Sequence, residues 1–477
     1  MLTHADIRNG LGDALQRTLG PGSVAVERAV ADSRLCRTGD LFVALPGESL
    51  DGNDYVEDAF ARGAAAALAE RPPATLPDGC TVYLVDRALP ALQRLAGWWR
   101  ARFSPRVIAI TGTVGKTSTK EIAAHVLATR ATVLRTEASL NGDIGLPLML
   151  LRLRPEHEVA VLELGLYYAG EITLQCDLAQ PRFGIVTNVG HTHAERLGTI
   201  AAIAAAKREL VEWMPDEGMV ALNADDPRVA AMAAPDRCRV VTYGLSPGAE
   251  IRGDAVQDLG LDGFTFRMHA HGQTVPVHTP LIGRHNVHNC LAAAAVALAD
   301  GMTPAEVAEA LATANNPLRL QRLPGPNGST LIDDTYNANP ASMNAALDLL
   351  EAIPATGGRR IAVLGDMAEL GPEEEWLHRA LGERAARTAD LLILTGGRSR
   401  WTAEAARLAG GADVRYVDHP GRLAAAVLAE AGPGDVILLK ASRSMAFERV
   451  VEALLAARDI EALEGPETGV VESHPLQ

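Results

Sequence analysis

The sequence predicts an α/β chain of three domains, and three observations carry that prediction. A length of 477 residues exceeds what one ordinary core organises. Short apolar runs that end in glycine or a polar residue alternate with helical segments along most of the chain, the pattern of parallel strands joined by crossover helices. The stretch "RVIAITGTVGKTS" sets a glycine-rich loop directly between one such run and a helix.

The first block, residues 1–103, contains "GDLFVALPGESLDGNDYVEDAFARGAAAALAE". It reads as a short strand, a Gly/Asp-rich loop and an alanine-rich helix. The second block, residues 104–317, supplies the buried strands "RVIAITG", "EVAVLELG", "FGIVTNVG" and "GMVALNADD". Within it "GFTFRMHA" and "QTVPVHTPL" alternate with period two and predict an antiparallel extension, after which "GRHNVHNCLAAAAVALAD" returns to a helix. The third block, residues 318–460, repeats the strand–helix alternation with "STLIDD", "RRIAVLG", "DLLILTGG" and "DVILLKAS", a Rossmann-like pattern. Residues 461–477 have no period and read as a frayed tail.

Composition excludes several classes. Hydrophobic residues make up 48%, which argues for globular domains. A net charge of −15 with no long basic run argues against a nucleic-acid partner. The run "LAAAAVALA" stops at Asp300, well short of the roughly 20 residues of a span, so no membrane insertion is expected. The start "MLTHADIRNG" lacks signal-peptide regions, and the five cysteines (36, 80, 176, 238 and 290) lie far apart. Both features point to reduced thiols in a cytoplasmic protein.

The loop "TGTVGKTS" departs from the general phosphate-loop pattern, which places a glycine where Ile110 stands. What remains is Gly112, Thr113, Gly115, Lys116, Thr117 and Ser118. In this pattern Gly115 lets the backbone approach phosphate, Lys116 meets the β- and γ-phosphates, and the Thr117 hydroxyl holds Mg²⁺. A helix start with a solvated lysine is the ordinary explanation of an isolated Gly-Lys-Thr. Glu163 closes the run "AVLE" and is placed to ligate or orient a metal, as acids at strand ends do in phosphate-loop enzymes. Lys440, Ser442 and Arg443 end a later strand as a polar nest for an anion or carboxylate. Asp333, Asp334, Tyr336, Asn337 and Asn339 form a second polar loop of the same kind.

The shortened loop resembles that of the Mur ligase family and its folylpolyglutamate synthetase relatives. "ADSRLCRTGDLFVALPGESLDG", "NGDIGLPLMLL", "VLELG", "GEI", "VTNVGHTHAERLGT", "AAKREL", "NADD", "GRHNVHN", "LIDDTYNANPASM", "VLGDMAELG" and "LKASRSM" follow in family order across nearly the whole chain. The pair "DDTYNANP" and "GDMAELG" is most similar to the branch that adds D-alanyl-D-alanine to a UDP-muramoyl tripeptide. The resemblance implies a uridine-nucleotide-binding first domain, a central ATP-binding domain and a C-terminal domain that receives the incoming amine. It implies ATP and Mg²⁺ as cofactors and those two small molecules as substrates; a monomer is expected, although the sequence does not fix the oligomeric state.

Residue by residue, the resemblance assigns Ser33 and Arg34 to the uridine diphosphate; the alternative is a turn with a surface arginine. It matches His193 to a second-metal ligand, with His191 two positions away leaving the local choice open. Lys207 matches the lysine that becomes carbamylated; its plain alternative is a surface lysine beside Arg208. Asn286 matches the residue that touches adenine, yet it is equally suited to cap its helix. Arg319 matches the arginine that reaches the nucleotide from the interdomain hinge. Two departures stand out: Tyr167 and Tyr168 occupy a stretch that often carries Asn-His, and Leu318 stands where glycine commonly precedes the arginine. Alternative functions are a superfamily ligase acting on a folate or polyamino acid, and a phosphate-loop ATPase switch.

Overall fold

The computed structural model describes residues 1–47, 50–138, 140–190, 197–234, 236–315, 320–353 and 357–463. The predicted sites His193 and Arg319, the residue Leu318 and most of the predicted tail lie outside the described residues. The chain divides into two compact units. One comprises Met1–Val256, Phe266–His278 and Val287–Asn315; the other comprises Gln257–Thr265, Thr279–Asn286 and Asn316–Gln477.

The first unit holds two large sheets and a small antiparallel pair, Leu2–Thr3 with Ala25–Val26. A five-stranded sheet runs Leu15–Leu19, Thr81–Val85, Ala66–Ala69, Leu41–Val43, Ala29–Val30, with only the first pair antiparallel. Here the sequence expectation needs correction. The alanine-rich run is not a helix: the helix is the shorter Val56–Ala61, and Ala66–Ala69 is a wholly buried strand. Alanine's helix propensity gives way because small side chains suit a strand enclosed between two parallel neighbours.

The larger sheet has nine strands. At its heart Arg106–Thr111 lies between Val159–Glu163 and Phe183–Val186, parallel to both. Beyond these lie Val133–Arg135 on one side, and Met219–Asn223 and Arg239–Gly244 on the other, all in parallel pairing. Strand order thus reverses around Arg106–Thr111, and the crevice at the carboxyl ends of such strands is where doubly wound sheets bind ligands. The runs 264–270 and 273–279 form adjacent strands at the sheet's edge, joined by His271 and Gly272.

Helix Ala88–Arg100 links the two sheets. Leu92, Leu95, Ala96 and Trp99 enter one apolar core with Leu146, Met149 and Leu150 of helix Gly142–Leu150, and with Ile172 and Cys176 of helix Glu171–Ala179. The Trp99 indole N–H donates to the Leu153 carbonyl at 3.1 Å, so its one polar atom is satisfied in the core.

The second unit carries a six-stranded sheet, Gln321–Pro324, Thr330–Asp333, Val436–Lys440, Arg360–Leu364, Leu391–Thr395, Asp413–Val417. Its first pair is antiparallel and the remainder parallel. The four inner strands are the four expected from sequence. The two edge strands were not anticipated, because "QRLP" and "DVRYV" are short and polar, as unpaired edges tend to be. No described helix is long and apolar enough to cross a membrane.

Trp99→Ala is expected to destabilise the first unit by about 3–5 kcal/mol, the usual cost of emptying a large aromatic site. Urea denaturation followed by circular dichroism measures this. A change under about 1 kcal/mol would mean that the helix Ala88–Arg100 does not join the two sheets energetically.

Candidate active site

The loop between strand Arg106–Thr111 and helix Lys116–Ala128 is held from the neighbouring strand end. Thr113 N–H donates to the Asn188 carbonyl at 3.0 Å, and Val114 N–H to Asn188 Oδ1 at 2.9 Å. The Thr187 hydroxyl and Asn188 Nδ2 both donate to the Val114 carbonyl, at 2.7 and 3.0 Å. Gly112 sits at φ +150°, and a Cβ there would lie 1.8 Å from Thr187 Oγ1. Gly115, at φ +83°, precedes the helix, and a Cβ there would lie 2.8 Å from Asn289 Oδ1. Both positions therefore require glycine for conformation and for space.

Lys116 folds back over this loop, with Nζ 2.9 Å from the Gly112 carbonyl and 3.4 Å from that of Thr113. A point charge on a flexible stem can leave carbonyls for phosphate oxygens. Thr117 and Ser118, in the first helical turn, are buried. The Thr117 hydroxyl donates to Glu163 Oε2 at 2.9 Å, and Asn141 Nδ2 donates to Glu163 Oε1 at 2.9 Å. Glu163 is the last residue of its strand, and its backbone N–H donates to the Thr136 hydroxyl at 3.0 Å. A carboxylate and a hydroxyl thus meet beside the loop, the hard oxygen donors that suit Mg²⁺.

Lys207 overturns the surface-lysine alternative. It lies on helix Ile200–Trp213 at 1% exposure. Burial, and next the Lys116 charge, push its ammonium well below the ordinary lysine range. The other two fully buried lysines are partnered: Lys120 with Glu121 at 2.7 Å, and Lys440 with Asp334 at 2.5 Å. Among the described residues no carboxylate pairs with Lys207.

The matches to known proteins cover these same elements. Residues 28–93 match the Mur ligase family catalytic domain, residues 110–297 the Mur ligase middle domain, and residues 318–443 the Mur ligase glutamate ligase domain. A UDP-N-acetylmuramoyl-tripeptide–D-alanyl-D-alanine ligase from Synechocystis is 37% identical over 436 residues, 91% of this chain and 93% of that protein. This chain belongs to the Mur ligase family. Among solved structures, MurF from Acinetobacter baumannii aligns with a TM-score of 0.83 at 29% identity, covering 95% of this chain and 98% of that one. MurF from Thermotoga maritima in complex with ADP aligns with a TM-score of 0.75 at 28% identity, covering 91% and 99%.

The remaining predicted Mur ligase residues fall into separate groups. Ser33 and Arg34 share the turn Ser33–Leu35 but diverge: the buried Ser33 hydroxyl donates to Asp58 at 2.8 Å, while Arg34, 80% exposed at its side chain, pairs with Asp32 at 2.7 Å. In the second unit Lys440 Nζ also donates to the Asn337 carbonyl at 2.9 Å. The Ser442 hydroxyl accepts from Ala368 N–H at 2.8 Å. These groups join Asp334 and Asn337 in one cluster at the ends of adjacent strands. Arg443 turns its guanidinium to Glu448 at 3.0 Å, leaving its backbone N–H 3.4 Å from Asn337 Oδ1. Asn286 is the first residue of its helix and donates through Nδ2 to the Ile282 carbonyl at 2.8 Å.

Sequence reasoning assigned no role to Asn141, Thr187 or Asn188. Asn141 lies 22 positions from the Glu163 it orients. The clue available in the sequence was position: "TNV" follows a buried strand immediately, where polar side chains seldom lack a task.

Gly112→Ala should weaken ADP binding at least about tenfold, the effect of a little over 1 kcal/mol of strain at this turn. Titration calorimetry measures it. Affinity within twofold of wild type would show that the loop tolerates a side chain and that Thr187 does not set its shape.

Proposed function

We propose that this protein is an ATP-dependent amide ligase that joins D-alanyl-D-alanine to a UDP-muramoyl tripeptide, with release of ADP and phosphate, in the making of peptidoglycan precursors. The observation that carries this reading is likeness over more than nine-tenths of both chains to ligases of that name, across all three domains. The cytoplasm, which holds ATP and the UDP-linked precursor, is the proposed location. The proposed division of labour is residues 1–103 for the UDP-substrate, 104–317 for ATP and 318–460 for the incoming amine.

A carboxylate is a poor electrophile because its negative charge is shared by both oxygens. Transfer of the γ-phosphoryl to one oxygen makes an acyl phosphate; the amine attacks its carbonyl carbon, phosphate leaves with the C–O electrons, and the nitrogen loses a proton. Two anions must first be brought together, so the site needs cations. Lys116 is proposed for the β- and γ-phosphates, with the backbone of Gly112, Thr113, Gly115 and Ser118 lining the loop. Thr117 and Glu163 would hold Mg²⁺, which neutralises phosphate charge when bound. Among the described residues no cluster of three His, Cys, Asp or Glu side chains is present. The ion would therefore complete its shell with phosphate and water oxygens, as Mg²⁺ commonly does.

Lys207 is proposed to bind the second Mg²⁺ as a carbamate, together with His193. Carbon dioxide adds only to a neutral amine, and burial beside the Lys116 charge favours that form. Asn286 and Arg319 are proposed for the adenine nucleotide, and Ser33 and Arg34 for the uridine diphosphate. The cluster Asp334, Asn337, Lys440, Ser442 and Arg443 is proposed for the incoming dipeptide.

Phosphate release with each substrate omitted in turn tests the activity. Release should require ATP, tripeptide and dipeptide together; rapid release with ATP alone would favour an ATPase switch. Lys116→Ala should abolish ligation with the fold intact by circular dichroism. Lys207→Ala should lose most activity and regain part of it with added acetate, while Lys207→Arg stays inactive. Near-normal activity in the alanine variant without acetate would return Lys207 to a structural role.

A further inference from the structure

We propose that Tyr167 and Tyr168 form a wall of the active site that holds the side chain of the peptide's third residue and reads its terminal ammonium. This rests on the ligase reading above and deepens it. The two rings are left 41% and 45% exposed, and Ile144, next to Asp143 in sequence, is likewise exposed.

The turn that presents them is held tightly. Gln175 bonds both backbone groups of Gly165, accepting from its N–H at 3.1 Å and donating to its carbonyl at 3.0 Å. The Tyr167 N–H donates to the Glu171 carboxylate. Gly170 and Thr173 N–H groups donate to Glu209, at 2.6 and 3.1 Å, and Glu209 stands two residues beyond Lys207 on the same helix. On the other side, a Cβ at Gly165 would lie 2.8 Å from Gly142 N and 3.0 Å from Asn141 Oδ1. Asn141 is the residue that orients Glu163. The tyrosine turn is thus joined to the Lys207 helix through Glu209 and packs against Asn141, the residue that orients Glu163. The Tyr167 ring reaches within 4.0 Å of the Cβ position at Gly142.

Aromatic rings left this exposed gain little from folding and are suited to a ligand. The reacting carboxylate must arrive beside Glu163 and Lys116, and the side chain on its α-carbon then projects a few ångströms from it. In this substrate class that side chain is lysine, an aliphatic stem ending in an ammonium, or diaminopimelate, whose stem ends in a carbon bearing an ammonium and a carboxylate. Ring faces accept both the stem and the cation. The Asp143 carboxylate lies near Tyr168 and, after burial, raises its phenol pKa, and Glu171 is buried beside the turn. Glu171 Oε1 has no hydrogen-bond partner among the described residues. The Asn-His often found at this stretch in the family puts an amide in place of one phenol ring and a smaller imidazole in place of the other.

The test uses the full chain with UDP-muramoyl tripeptides whose third residue is lysine, meso-diaminopimelate or norleucine, which keeps the stem without the ammonium. Wild type should favour an ammonium-bearing substrate over norleucine at least about tenfold in kcat/KM. Tyr167→Asn/Tyr168→His should erase most of that preference by raising the KM for the ammonium-bearing substrate, with the KM for ATP moving less than twofold. Tyr167→Leu/Tyr168→Leu, which keeps apolar bulk without a ring face, should do the same and covers misfolding of the polar variant. The proposal is overturned if wild type shows no preference or if a folded variant retains it. Failure of wild type to ligate any of the three substrates would instead overturn the ligase reading.

Discussion

The hydrogen bond from the Thr117 hydroxyl to Glu163 stands at the centre of the first unit. It joins the first turn of the loop helix to the end of the adjacent parallel strand, and it requires that strands 106–111 and 159–163 run side by side in register, with Ile110 opposite Glu163. The loop's other flank depends on the neighbour across the sheet, where Thr187 and Asn188 grip Val114. Central placement of the first strand, with carboxyl ends on both sides, makes this double grip possible. It also explains why the shortened loop works with Ile110 in place of a glycine. Ile110 is a fully buried strand residue, and the tight turn begins only at Gly112.

Three fully buried lysines illustrate how environment assigns different tasks to one residue type. Lys120 and Lys440 are each neutralised by a carboxylate and a backbone carbonyl, so each charge is compensated inside the fold. Among the described residues Lys207 has no such carboxylate, and it is given burial and a nearby like charge instead. An uncompensated buried ammonium is costly, and the group responds by moving toward the neutral amine. That arrangement is unfavourable for stability and favourable for chemistry at nitrogen.

The loop 164–173 shows the same economy. Its backbone donors are taken up by Glu171, Gln175 and Glu209, side chains that lie on two different helices. With Leu164 and Leu166 buried in the core as well, the loop couples the Glu163 corner to the Lys207 helix.

The sequence by itself determined the alternation of strands and helices, the placement of the phosphate loop and the acid at the end of "AVLE", because these depend on local period and on residues close in the chain. It also carried the family through the order of its motifs. It misplaced the alanine-rich strand 66–69, whose state is decided by burial between neighbours rather than by propensity. Only the tertiary structure separated Lys207 from a surface lysine, because a helix position next to Arg208 reveals nothing of what packs over it. Only the tertiary structure brought Asn141 to Glu163 and Thr187 and Asn188 to the loop. Those partners lie 22 and more than 70 positions apart, and hydrogen bonds across such spans follow from sheet order, which no local pattern encodes.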